Sequence, residues 1–165
     1  MAATSQPRPR SRDLAAAISP LRSLPADRPR LLSWAMAVGV LLITHEGIGP
    51  ALVAAATRLL RQLPLQAEAF EVAWDADPDA LLPAASAALR RVDSGAGALV
   101  LTDLYGATPS NLAARLARIG TPVRRVSAVN LPMLLRVMNY AELDLDELPA
   151  VAAAGARNGV ILDDA

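Results

Sequence analysis

One stretch constrains the fold more than any other: Val38-Gly39-Val40-Leu41-Leu42-Ile43-Thr44-His45-Glu46-Gly47-Ile48-Gly49. Its first half is apolar without alternation, the pattern of a strand covered on both faces inside a parallel sheet. It stops abruptly at a threonine, the single histidine of the chain and two glycines. Glycines directly after a strand let the backbone turn sharply. His45 is therefore expected at the carboxyl end of a buried strand, where open α/β sheets bind their ligands.

The rest of the sequence alternates in kind. Strands are expected at Ala37 to Ile43, Leu65 to Val72, Ala98 to Leu101, Val123 to Val129 and, briefly, Gly159 to Leu162. The second is the more alternating and reads as an edge strand. Helical spacing and proline or Asp-Pro starts place helices at Pro50 to Gln62, Asp79 to Val92, Pro109 to Arg118, Asn130 to Tyr140 and Asp146 to Asn158. Strands separated by helices mean βαβ units and right-handed crossovers. The expected class is α/β: a mostly parallel sheet of four strands with helices on both faces, plus a short C-terminal strand. Strand order does not follow from this pattern.

Residues 1–35 differ from the remainder. They carry six arginines and two aspartates, a balance of +4, whereas residues 36–165 carry ten arginines and fourteen acids, a balance of −4. Five of the 13 prolines fall before residue 31. We read this segment as a disordered, basic, proline-rich extension, with Met36 as the natural start of a single domain over 36–165. Arginines ahead of an apolar run also suit a secretory signal. However, the run leads into the His45 loop without a small-residue cleavage site and is too short to span a bilayer.

Composition removes several chemistries. With no cysteine and no lysine, thiolate, Schiff-base and Walker-type phosphate chemistry are out, and one histidine cannot build a multi-histidine zinc site. A mildly acidic domain is a poor partner for nucleic acid.

Polar residues gather at three strand ends: Thr44-His45, Thr102 to Asn111, and Asn130-Leu131-Pro132. In a parallel sheet all three share one edge. His45 suits a base, a nucleophile or, less well, a metal ligand; the plain alternative is a structural histidine in a loop. Asp103 is either a turn residue or a carboxylate that accepts one ring N–H, fixing the tautomer and freeing the other nitrogen to attack. Thr108-Pro109 reads as an N-cap followed by a first helical position. A helix start of this kind offers free N–H groups and partial positive charge to phosphate, with Gly106 and Ala107 keeping the approach open. Ordinary capping explains Thr108 as well. Together the three point to phosphoryl transfer onto His45. Without a P-loop or an acidic metal cluster, a phosphoprotein donor fits better than ATP with magnesium.

These residues carry a resemblance. Ile43-Thr44-His45, Leu101 to Asn111 (LTDLYGATPSN), Val129-Asn130-Leu131-Pro132-Met133-Leu134 and Gly155-Ala156-Arg157-Asn158-Gly159-Val160 follow in the order and spacing of the mannose-family EIIA domain of the bacterial phosphoenolpyruvate:sugar phosphotransferase system. The chain resembles that family from Met36 to about Leu162. The resemblance implies that His45 takes a phosphoryl group from phospho-HPr and passes it to a histidine of an EIIB domain. Asp103 would hold the ring, and Thr108 with its backbone neighbours would hold the phosphoryl group, without metal or organic cofactor. It further implies adjacent first and third strands, exchange of the last strand within a homodimer, a cytoplasmic location and membrane contact only through a permease complex. Two departures stand out: Glu46 follows the histidine where many members have glycine, and Ala107-Thr108 replaces a frequent Gly-Ser. The competing readings are a phosphorylation-dependent regulatory protein without a permease, and a small-ligand-binding α/β domain with a structural His45.

Overall fold

The computed structural model describes residues 36–162. The extension read at residues 1–35 lies outside the described residues. An apolar run needs cover on both faces, and β1 (Gly39–His45) receives it, with all seven residues buried. β1 pairs in parallel with β2 (Ala67–Val72) on one side and β3 (Ala98–Thr102) on the other, and β3 pairs in parallel with β4 (Val123–Ser127). The order is β2-β1-β3-β4. β2 is thus an edge strand, as its alternation suggests, and β1 and β3 are neighbours.

Helices α1 (Ile48–Leu60), α2 (Pro78–Val92) and α3 (Thr108–Leu116) alternate with the strands, and α4 (Leu131–Asn139) and α5 (Leu148–Asn158) follow β4 in succession. Along β1 the side chains alternate between two layers. Leu41 and Ile43 join Val100 in a core with Ala85, Ala88, Leu89 and Val92 of α2 and Leu112, Ala113 and Leu116 of α3. On the other face Gly49 of α1 lies against Thr44, Leu42 and Ala69, and α4 packs on both α1 and α5. Each fully buried leucine or isoleucine contributes about 1.5–3 kcal/mol relative to exposure, so β1 is held chiefly by burial. Among the described residues no helix is long and apolar enough to cross a membrane.

Several boundaries differ from the sequence reading, each for a local reason. α1 starts at Ile48, two residues before Pro50, because Gly47 takes a left-handed φ of 83° and the Thr44 hydroxyl accepts the Gly49 N–H at 2.8 Å. β4 ends at Ser127 because Ala128 turns to φ 66°. α5 starts at Leu148 because the Asp144 carboxylate accepts the N–H groups of Asp146 and Glu147, closing a separate turn ahead of it. The strand expected at Gly159 to Leu162 is not formed within the single chain. A strand exists only against a neighbouring edge, and here Val160, Ile161 and Leu162 are 72%, 71% and 85% exposed.

Thr44 ties this frame to the site. It is wholly buried; its hydroxyl donates to the His45 carbonyl at 2.9 Å while accepting from Gly49. Replacement Thr44→Val keeps the shape but leaves a buried N–H unpaired. A loss of about 1–3 kcal/mol is expected, measured as a lower denaturant midpoint at unchanged m-value.

Candidate active site

The C-terminal ends of three adjacent strands meet around one imidazole. His45 closes β1, and its side chain is only 8% exposed. Asp103 follows directly on β3, whose Thr102 is in register with Ile43. That register brings the Asp103 carboxylate alongside His45 across 58 residues of sequence. One oxygen, Oδ2, accepts twice: from the His45 backbone N–H at 2.8 Å and from ring Nδ1 at 2.7 Å. The other, Oδ1, accepts the Leu104 N–H at 2.8 Å.

Burial alone would push the Asp103 carboxyl up. The hydrogen bonds from His45 and Leu104 and the attraction of the His45 ring outweigh it, holding the carboxyl below its ordinary value. Asp103 is therefore ionised at neutral pH and can only accept. In the neutral ring, Nδ1 therefore carries the proton and Nε2 keeps its lone pair. The geometry thus presents an oriented imidazole, chemically able to act as a nucleophile, with a carboxylate placed to compensate positive charge on the ring. A depressed carboxyl contributes stability that is complete above the ordinary value of 3.8 and is lost as pH falls through the lower folded value. Thermal melts of the wild type and Asp103→Asn should therefore converge below that range and separate above it.

The β3–α3 loop continues from Asp103 to the start of α3. Gly106 sits at φ 83° with open space where a side chain would be, so the approach is clear there. α3 begins one residue earlier than the sequence suggests. The N-cap position is held by Ala107, in extended conformation and without a side-chain hydrogen bond, and Thr108 is the first helical residue. Thr108 is thus not the cap; it is half-buried in the first turn, where the α3 N–H groups also lie. Asn111 donates to the Gly106 carbonyl at 3.2 Å and secures the loop. Asn130, also at this sheet edge, spends its carboxamide oxygen on the Met133 N–H as the cap of α4. Glu46 is exposed in the turn that leaves β1.

Two neighbours of His45 escaped the sequence reading. Glu71 accepts the Gly47 N–H at 2.7 Å and fixes the turn after the histidine. Trp74, in the β2–α2 loop, stacks on the His45 ring with centroids 4.1 Å apart and planes 12° from parallel. The available signal was an isolated indole in an acidic loop at a strand end, in a chain with only 3% aromatic residues.

A family model, EIIA-man, described as "PTS system fructose IIA component", matches residues 39–153. The chain is 28% identical over 132 residues to the "PTS system mannose-specific EIIAB component" of Escherichia coli K12, covering 76% of this chain and 39% of that protein. It thus spans about two fifths of the curated relatives' length. Among solved structures, the mannose/sorbose specific IIA subunit of Enterococcus faecalis superposes with a TM-score of 0.69 at 23% identity, over 79% of this chain and 97% of that one. The PTS IIA protein associated with the fucose utilization operon of Streptococcus pneumoniae superposes at 0.64 and 18% identity, over 77% and 93%. The fold is common to both. With the family model matching residues 39–153, well over half of the chain, the chain belongs to the EIIA-man family of phosphotransferase-system IIA components.

Proposed function

We propose that this chain is a phosphocarrier of the phosphoenolpyruvate-dependent sugar phosphotransferase system, with His45 as the residue that carries the phosphoryl group. The observation that carries the reading is the Asp103–Nδ1 hydrogen bond, which leaves Nε2 as the unprotonated ring nitrogen. In the forward step the Nε2 lone pair attacks phosphorus in phospho-HPr. The donor's N–P bond breaks, and its electron pair returns to the donor ring. The proton on Nδ1 stays against Asp103, so the His45 ring becomes cationic with a neighbouring carboxylate to balance it. In the second step an EIIB histidine attacks the same phosphorus and Nε2 takes its electron pair back. The first-turn N–H groups of α3, with Thr108, Ala107 and Gly106, hold the phosphoryl oxygens, as helix starts do. No metal or organic cofactor takes part.

The protein acts in the cytoplasm and meets the membrane only through its permease partners. It works as a homodimer in which Gly159 to Leu162 pairs with the second copy. Three consecutive exposed apolar side chains and the edge position of β4 support this exchange. Truncation after Asn158 should convert dimer to monomer in sedimentation velocity; an unchanged coefficient per protomer mass rejects the exchange. The test of the carrier role is acid-labile label from phosphoenolpyruvate, passed through Enzyme I and HPr and mapped to His45. Label on another residue, or none, rejects it.

A further inference from the structure

Asp103 restrains the imidazole in its own plane. Both of its contacts with His45 run to one oxygen, from the backbone N–H and from Nδ1. A hydrogen bond to one ring edge sets where Nδ1 points but leaves the ring's face to other neighbours. Trp74 lies on that face, nearly parallel at 4.1 Å.

The placement of this indole is otherwise unexplained. Trp74 is 71% exposed, so it adds little to the core, yet its loop is fixed at both ends. On one side, Val72 is paired in register with His45, two residues before Trp74. On the other, the Ala76 N–H returns to the Ala73 carbonyl at 3.1 Å, and Asp77 caps α2 through the Asp79 N–H at 2.9 Å. An indole held by a tight turn thus covers one face of a nearly buried imidazole.

We infer that Trp74 is a positioning residue for phosphoryl transfer: its indole face sets the plane of the His45 ring and stabilises the cationic ring that forms when Nε2 is phosphorylated. This rests on the phosphocarrier reading above. As the N–P bond forms, the donor nitrogen recovers its electron pair, Nδ1 keeps its proton, and the ring gains positive charge directly beneath the indole. A cation on the face of a tryptophan is attracted by the ring quadrupole, and at an exposed site the effect is worth roughly two- to fivefold in an equilibrium or rate constant.

The test uses the full chain with Trp74→Ala and Trp74→Phe. His45 is the only histidine, so its ring protons are identified in NMR spectra without assignment. Under the indole they lie upfield, and Trp74→Ala should move them downfield; identical shifts in both proteins overturn the stacking. In transfer from phospho-HPr, Trp74→Ala should lower kcat roughly two- to fivefold at unchanged KM, and Trp74→Phe, which retains an aromatic face, should restore most of it. A rise in KM alone makes Trp74 a docking contact and overturns the inference, as does a transfer rate equal to wild type. A wild-type protein that takes no label while its ring protons remain upfield removes the phosphocarrier reading, and the role of Trp74 in transfer with it, but leaves the stacking intact.

Discussion

His45→Ala will take no label from phosphoenolpyruvate in the presence of Enzyme I and HPr. The loss will be complete, because the chain holds no second histidine to accept a phosphoryl group in its place. The substitution removes a ring that is nearly buried at the end of β1 but leaves the strand's aliphatic core untouched. Circular dichroism and thermal melts should therefore remain close to wild type, which separates loss of chemistry from loss of fold. A His45→Ala protein that is labelled as well as wild type rejects His45 as the carrier.

Asp103→Asn is expected to slow transfer by roughly 10- to 100-fold, the range set by hydrogen bonds to a charged group. The three donors around this side chain determine the effect. Oδ2 accepts two N–H groups of His45 and Oδ1 accepts that of Leu104. A carboxylate satisfies all three; a carboxamide has one oxygen and one NH2, so one side must face donor to donor. If the oxygen stays on His45, the tautomer survives and only the compensating charge is lost, with Leu104 unpaired. If it turns to Leu104, the ring loses its orientation as well. Either way, single-turnover labelling should be slower while the folded state persists. Equal rates for Asp103→Asn and wild type would remove Asp103 from the mechanism.

The parts of the molecule legible in the sequence are those set by residues close together. Val38 to Ile43 and Ala98 to Leu101 read as buried strands because a short unbroken apolar run that ends at polar residues suits a strand covered on both faces. His45 and Asp103 stood out because each is the first strongly polar side chain where such a strand ends. Asn130 read correctly as a helix opener because the cap bond to Met133 is three residues long. What stayed hidden depends on neighbours distant in sequence. The stacking of Trp74 on His45 exists only because β2 lies beside β1, an order that periodicity does not encode. Ala107 rather than Thr108 holds the N-cap position of α3, since the chain enters the helix one residue sooner than threonine's preference suggests. Gly159 to Leu162 has the composition of a strand but pairs with no strand of its own chain among the described residues.

β1 pairs with β2 on one side and β3 on the other, and each neighbour delivers one of the two groups that grip the imidazole. Chemical competence is therefore coupled to the completion of folding. The carboxylate arrives only when a contact spanning 58 residues has closed, and such non-local pairing forms late relative to helices. A slip of one residue in either register would turn the incoming side chain to the opposite face of the sheet. A chain still on the ribosome, or one trapped in a shifted pairing, would thus present an unoriented imidazole, so the site is complete only in the finished fold.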